Sequence, residues 1–370
     1  MEKTEKKYMR RAIRLARRGE GWTNPNPLVG AVIVKNGEII GEGFHRRYGE
    51  LHAERDALKN CQERGNNSAG ATIYVTLEPC CHFGKQPPCT YALVESGISR
   101  VVVGSRDPNP LVHGKGNEYL RQHGVEVIED FLKDECDALN VIFFHYITTN
   151  RPYIALKYAM TLDGKIATKT GESKWISGEK SRAEVQKLRN RYAGILCGIG
   201  TVLKDNPMLN CRVKGGNNPV RIICDSHLKI PLECNIVQSA KEIKTIVAAL
   251  DSKEKTFAEK KLALEEKKVE ILIVPQDENG KIDLEELFCE LGKRKIDSVL
   301  VEGGGEINFS VLEKNLADCI YAFVAPKIFG GTAKTAVAGA GIEHPADAFK
   351  FKLKNIKHFD DDILLELTKN

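Results

Sequence analysis

Residues 76–89 read TLEPCCHFGKQPPC, and HAE stands upstream at 52–54. One histidine and two thiolates can hold a tetrahedral zinc ion while leaving a fourth position for water. Zinc lowers the pKa of that water to about 7, so a hydrolytic nucleophile becomes available at neutral pH. A carboxylate that is not a ligand can then take and return the protons, and Glu54 is the candidate general acid/base. His52 is the candidate histidine ligand. Adjacent cysteines rarely both bind one ion when a third is near, so Cys80 and Cys81 compete for one place. Cys80, directly after Glu78-Pro79, is preferred, with Cys89, eight residues lying between, at a helix start where the dipole favours a thiolate. The alternative is a closed structural zinc site with His82 as fourth ligand, which would have no use for Glu54.

The order His-x-Glu, then Pro-Cys, is the one used in hydrolytic removal of an amine from a nucleobase. It makes a geometric demand. Residues two apart point to opposite sides of a regular helix, so His52 and Glu54 share a site only if His52 sits at an irregular helix start.

The elements around these residues read as alternating strands and helices. EKKYMRRAIRLARRG carries Tyr8, Ala12, Leu15 and Ala16 on one helical stripe, with Gly19 as a stop. LVGAVIVKNGEIIGEGFH is two apolar runs around Asn36-Gly37, the dipeptide of a two-residue hairpin. A helix begins near His52, followed by the strand ATIYVT, the cysteine loop, a helix over about Cys89–Ser96 and the strand RVVVG. A further helix (NEYLRQHG) and strand (VEVIE) lead to a single helix over DECDALNVIFFHYI. The pattern is that of a helix-covered sheet.

Near residue 148 the pattern restarts at RPYIALKYAM, giving expected domains of 1–147 and 148–370. The second half adds GILCG, PVRIICD, TIVAAL, VEILIVP, DSVLVEGGG and CIYAFVAPKIFGG, and closes with a hairpin over FKLKNIKHF and DILLELT. SKEKTFAEKKLALEEKK reads as a mixed-charge, solvated helix. Gly303-Gly304-Gly305 follows a strand and opens a helix, so its amides could hold a cofactor phosphate. The spacing is not G-x-G-x-x-G with an acid about 20 residues on, and a standard dinucleotide-binding fold is not indicated.

Composition sets the frame. The chain has 370 residues, 42% hydrophobic and 28% charged, with 55 basic against 50 acidic residues. That length favours two domains. The basic residues do not gather into a block, so phosphate esters suit the chain better than nucleic acid. Met1 is followed by a polar, amphipathic run, and no apolar stretch approaches the roughly 18 to 20 residues that span a bilayer. Neither export nor membrane insertion is expected. Eleven scattered cysteines suggest buried thiols in a reducing, cytoplasmic compartment.

NPNPLVGAVIV, HAERDAL, TLEPCCHFGKQPPC and RDPNPLVHGKG resemble the deaminase half of the bifunctional riboflavin-biosynthesis deaminase/reductases, whose cysteines show the same long gap. YAMTLDGKIA, GESKWIS, GIGTVLKDNPMLNCR and VEGGGEINFS resemble the reductase half, so the resemblance covers essentially the whole chain. It implies an α/β protein, a cytidine-deaminase-like three-layer domain followed by a dihydrofolate-reductase-like α/β domain. Zinc ligands carry over to His52, Cys80 and Cys89 and the proton shuttle to Glu54; Cys81 lies where a small polar residue is more usual. Deaminase substrate contacts carry over to Asn26, His45, His82, Lys85, Asp107 and Asn109. NADPH contacts carry over to Ala159, Trp175, Thr201, Asp205, Ser226 and the run Gly304, Gly305, Glu306, Ile307, Asn308, Phe309 and Ser310. Reductase substrate contacts carry over to Ser173, Arg189, Leu209, Arg212 and Glu302. The implied chemistry is hydrolytic loss of an amine from a diaminopyrimidinone bearing ribose 5-phosphate, then hydride delivery that turns the ribosyl group into ribityl. Arg189 and Arg212 suit the phosphate, because a guanidinium fork matches its oxygens. The expected partner is this small phosphorylated pyrimidine, with no nucleic acid and no membrane, acted on by a homo-oligomer.

Two other classes stand beside this reading. A tRNA adenosine deaminase would share HAE but would need a basic tail or aromatic platform and would leave the second half unexplained. A non-catalytic zinc-stabilised binding protein would need neither Glu54 nor a cofactor pocket.

Overall fold

The alternating apolar residues of GAVIVK form a strand that is buried on both faces, because successive side chains enter opposite layers. In a computed structural model, which describes residues 2–83, 87–109 and 113–369, the chain divides into two units, Met1–Asn150 and Arg151–Asn370. The first contains α1 (Glu2–Ala16), β1 (Gly30–Lys35), β2 (Glu38–Phe44), α2 (Ala53–Glu63), β3 (Thr72–Leu77), α3 (Cys89–Glu95), β4 (Arg100–Ser105), α4 (Lys115–Gln122), β5 (Glu126–Ile128), α5 (Lys133–Asp137) and α6 (Val141–Thr149). The pattern restart expected near residue 148 thus falls inside α6.

Its sheet runs β2-β1-β3-β4-β5, antiparallel at β2-β1-β3 and parallel from β3 to β5. Asn36 and Gly37 both have positive φ, 53° and 83°, as the β1–β2 turn requires. Ala31, Ile33, Ile73, Val75, Val101 and Val103 pack with residues of α2, α3, α4 and α6 on one face. Val32, Val34, Tyr74 and Val102 pack with α1 and Cys136 of α5 on the other. The result is three layers, each fully buried branched side chain contributing about 1.5–3 kcal/mol.

The sheet and α2 approach backbone to backbone at two glycines of β2. A Cβ on Gly43 would lie 2.2 Å from the Ala57 nitrogen and 2.5 Å from the Ala53 oxygen; one on Gly41 would lie 2.7 Å from the Ala57 oxygen. The single helix expected over DECDALNVIFFHYI is instead α5 and α6, separated at residues 138–140. Asn140 breaks it by pairing its amide with Leu28: Nδ2 donates to the Leu28 oxygen at 3.0 Å, and Oδ1 accepts from its nitrogen at 2.8 Å.

The second unit contains β6 (Tyr153–Thr161), α7 (Glu179–Arg191), β7 (Gly194–Gly198), α8 (Ile199–Asp205), β8 (Val220–Cys224), α9 (Asn235–Gln238), β9 (Thr245–Ala249), α10 (Lys255–Glu266), β10 (Val269–Ile273), α11 (Leu284–Lys293), β11 (Ser298–Val301), α12 (Gly305–Glu313), β12 (Cys319–Ala325), β13 (Phe351–Phe359) and β14 (Asp362–Lys369). Sheet order is β10-β9-β8-β7-β11-β6-β12-β14-β13. Pairing is parallel from β10 through β12 and antiparallel at β14 and β13. Leu196, Ile222 and Ile246 enter one core, and their neighbours Ile195, Ile223 and Val247 enter the other, so both faces of the parallel part are covered. β11 returns to lie between β6 and β7, and such a switch in strand order opens a crevice at the strands' carboxyl ends.

Candidate active sites

His52 caps α2 in an extended conformation, φ −72° and ψ 161°, and Glu54 lies in the first helical turn. The irregular start that the His-x-Glu spacing demands is therefore present. Cys89 is the first residue of α3. Nδ1 of His52 lies 3.5 Å from the sulfurs of both Cys80 and Cys89, and ligand atoms of the three residues all fall within 4.8 Å of one another. Among the described residues this is the group that could hold a metal ion, and neither Cys81 nor His82 belongs to it.

The electrostatics of the two thiols depart from expectation. The helix start was expected to favour a Cys89 thiolate, but the Cys89 amide donates to the Cys80 sulfur at 3.4 Å. The hydrogen bond between the sulfurs, with that from His52, holds the Cys80 thiol well below its ordinary pKa, and the same sulfur contact drives the buried Cys89 thiol well above it. Two neighbouring sulfurs cannot both ionise without a cation between them. A soft, thiolate-binding cation removes that conflict, so the donor set fits zinc.

Glu54 is buried, and burial first, then the negative Cys80 sulfur, pushes its carboxyl up to about 7. His45 is buried with its ring 5.4 Å from that of His52. Nδ1 of His45 lies 2.9 Å from the Leu51 carbonyl, which can only accept, so Nδ1 carries the proton. Burial lowers its pKa, and the neutral ring then accepts from Nδ2 of Asn26 at 3.2 Å. Asn26 and His45 thus stand together beside the metal group. Asp107 is buried and raised to about 6, chiefly by burial, with Glu78 and Cys80 adding to the rise. Its Oδ1 accepts from the Asn109 amide at 2.8 Å. His82 is half-buried, and its Nδ1 is buried with no hydrogen-bond partner. Lys85 lies outside the described residues.

Sequence reasoning missed two residues of this unit. Arg55 donates to the carbonyls of Pro87 and Pro88, at 3.3 and 3.1 Å, securing the approach to Cys89. Glu78, treated only as a landmark before Cys80, is a buried carboxylate that accepts four backbone amides. A Glu beside Pro-Cys was the available signal, but its partners are about 30 to 40 residues away in sequence.

In the second unit a cavity of about 1210 Å³ lies over the carboxyl ends of the strands. It is lined by Ala159, Ser173, Trp175, Arg189, Thr201, Asp205, Leu209, Arg212, Ser226, Glu302, Gly304, Gly305, Glu306, Ile307 and Ser310. Asn308 and Phe309, expected to touch the cofactor, are not among the lining residues. They lie on the buried side of α12: Nδ2 of Asn308 donates to the Ala336 carbonyl at 2.8 Å, and Phe309 packs on Phe349. A helix cannot present seven consecutive residues to one cavity.

Arg189 and Arg212 also differ from each other. Nε and Nη2 of Arg189 donate to the Glu302 carboxylate at 2.7 and 3.0 Å, and Nη1 donates to the Asn210 carbonyl at 3.1 Å. Its fork is already filled. Arg212 is exposed at the cavity, and the bond it makes is through its backbone, to Gln186 at 3.0 Å. Lys157, which sequence reasoning missed, lies 3.4 Å from the Glu302 carboxylate, and its signal was a lysine inside the apolar strand YIALKYAM. Burial pushes the Glu302 carboxyl up, but Arg189 and Lys157 outweigh it and hold it at about 2.

The description "Cytidine and deoxycytidylate deaminase zinc-binding region" fits residues 2–105, and "RibD C-terminal domain" fits residues 152–365. The riboflavin biosynthesis protein RibD of Actinobacillus pleuropneumoniae is 53% identical over 365 residues, covering 98% of this chain and 95% of that protein. The crystal structure of a diaminohydroxyphosphoribosylaminopyrimidine deaminase/5-amino-6-(5-phosphoribosylamino)uracil reductase from Thermotoga maritima superposes with a TM-score of 0.87 at 42% identity, covering 99% of each chain. Acinetobacter baumannii RibD gives 0.89 at 36% identity, covering 100% of this chain and 99% of that one. The fold is thus a cytidine-deaminase-like unit followed by a dihydrofolate-reductase-like one, and the chain belongs to the RibD family of bifunctional riboflavin-biosynthesis deaminase/reductases.

Proposed function

We propose that the first unit hydrolyses the amine from a diaminopyrimidinone carrying ribose 5-phosphate, and that the second reduces the ribosyl group of the product to ribityl with NADPH. The observation that carries the first half is the buried Glu54 carboxyl standing beside His52, Cys80 and Cys89, the group that could hold a metal ion. A positioned carboxyl that is not itself a ligand can accept and return a proton. His52, Cys80 and Cys89 would hold zinc, which supplies a water acidic enough to react at pH 7. Glu54 would take one proton from that water and give it to the ring nitrogen, then take the water's second proton as the new carbonyl forms and give it to the departing amine, which leaves as ammonia. Asn26, neutral His45, His82, Asp107 and Asn109 orient the pyrimidine, and Lys85 is assigned with them by resemblance.

For the second half, the strand-end cavity and the glycine-opened start of α12 support cofactor binding, with Gly304, Gly305, Glu306, Ile307 and Ser310 toward the cofactor. NADPH supplies the hydride. Ala159, Trp175, Thr201, Asp205 and Ser226 complete its cradle; Ser173, Leu209, Arg212 and the Arg189–Glu302 pair face the substrate. Arg212, the arginine with an unfilled fork, is the one suited to the phosphate. No helix among the described residues is long and apolar enough to cross a membrane, in keeping with a cytoplasmic enzyme, which we take to work as a homo-oligomer.

Glu54→Gln tests the assignment. The variant should bind zinc, release no ammonia from the diaminopyrimidinone, and still reduce the deaminated substrate. Wild-type deamination by Glu54→Gln would refute the role of Glu54.

A further inference from the structure

Glu78 lies at the end of β3, two residues before Cys80, and only 3% of it is exposed. Its Oε2 accepts from the amides of Asp107 and Gly114, at 3.3 and 3.0 Å, and its Oε1 from those of Gly116 and Asn117, at 3.1 and 3.4 Å. Among the described residues no side-chain cation is found paired with it. Four amides converging on one buried carboxylate are the arrangement by which backbone dipoles hold a negative group. Three of these amides belong to the entry of α4, where Gly114 is the N-cap and Gly116 and Asn117 lie in the first turn. These are donors that a helix start leaves without intrahelical partners.

The fourth amide is that of Asp107, whose neighbour Asn109 is in turn held by the Asp107 side chain at 2.8 Å. The contact is close along its whole length: a Cβ on Gly116 would lie 2.1 Å from the carbonyl of Pro79, the residue that joins Glu78 to Cys80. One side chain therefore ties the peptide that leads into the metal group to the segment bearing Asp107 and Asn109.

We propose that Glu78 is a positioning residue for deamination, setting Asp107 and Asn109 at a fixed place relative to Cys80 so that the pyrimidine is oriented against the metal group. The proposal rests on the reading that Asp107 and Asn109 face the substrate. Glu78 itself touches neither substrate nor metal in this scheme. Its effect belongs to substrate binding, while the proton transfers remain with Glu54.

Glu78→Gln is the decisive variant, because it keeps the shape and replaces one accepting oxygen with an NH2 that opposes two amides. The full-length variant should hold one zinc per chain and reduce the deaminated substrate normally. Its deaminase KM should rise at least about tenfold, with a smaller change in kcat. Glu78→Asp, which keeps the charge on a shorter arm, should recover part of the loss. Hydrogen exchange reads the clamp without any chemistry: the amides of Asp107, Gly114, Gly116 and Asn117 should exchange at least about tenfold faster in Glu78→Gln. Unchanged exchange would show that no clamp exists. Faster exchange with an unchanged KM, a loss confined to kcat, or loss of zinc would each overturn the positioning role. Failure of the substrate reading itself shows elsewhere, as a deaminase KM left unchanged by Asn109→Ala.

Discussion

Replacing Glu302 by glutamine should destabilise the second unit by about 3 kcal/mol at neutral pH. The carboxyl is held at about 2 against an ordinary 4.5, and each pKa unit is worth about 1.4 kcal/mol of differential stabilisation of the ionised form. The shift therefore corresponds to about 3 kcal/mol, in line with the roughly 3–5 kcal/mol lost when one partner of a buried pair is removed. Its sign follows from a depressed folded-state value: the contribution is fully present above pH 4.5 and is lost as pH falls from there toward 2. Burial opposes the charge, so the stabilisation depends on Arg189 at 2.7 Å and Lys157 at 3.4 Å. Calorimetry of the full-length chain at pH 7 should show the affected transition lowered by about 6–12 °C. The gap between variant and wild type should narrow below pH 4.5. The triple variant Lys157→Met, Arg189→Met, Glu302→Leu should recover much of the loss, because apolar groups of similar volume leave no uncompensated charge. A cost under about 1 kcal/mol, or one that stays constant from pH 7 to pH 3, would refute the argument.

Cys80→Ser and Cys89→Ser should each lose metal, whereas Cys81→Ser should retain it together with most deaminase activity; atomic absorption on purified variants decides this. Arg212→Ala should raise the reductase KM at least about tenfold while the melting temperature stays within about 1 °C, because its exposed guanidinium bears no load in the fold. Residues 151–370 expressed alone should fold and bind NADPH more tightly than NADH, as read by fluorescence titration; equal affinity would remove the NADPH assignment.

The metal group was legible because its chemistry is local: His52, Cys80 and Cys89 carry metal-binding side chains, and each sits at a helix start or beside a proline that periodicity can locate. The strands were legible for a similar reason, since both faces of each central strand are buried and apolar runs are the direct result. What escaped were residues whose role lies in distant partners. Arg221 interrupts no pattern in RIICD, yet it is fully buried, with Nε on the Thr245 hydroxyl, Nη1 on the Ser239 hydroxyl and the Met208 carbonyl, and Nη2 on the carbonyls of Ile236 and Ile243. Those acceptors are neutral, and burial lowers its pKa to about 10. Asn140 looked like one more helical residue because its partner, Leu28, is 112 positions away. Asn308 and Phe309 were grouped with the cofactor contacts because a contiguous motif was carried over whole, whereas the helix divides it between a lining side and a buried side.

The glycines at 41 and 43 also have a genetic consequence. Every amino-acid replacement at a glycine codon introduces at least one carbon, and at these two positions that carbon meets main-chain atoms of α2, which have no rotamer by which to escape. Alanine and serine, ordinarily the mildest exchanges, would push on the helix whose first turn places Glu54 and whose cap is His52. A saturation-mutagenesis library selected for riboflavin prototrophy should therefore be as depleted at Gly41 and Gly43 as at His52. Gly37, in the turn of the same hairpin, has open space around its Cβ direction and a φ of 83°. It should tolerate asparagine, a residue suited to that backbone, and so separate a demand on dihedral angle from a demand on volume within six positions of the same chain.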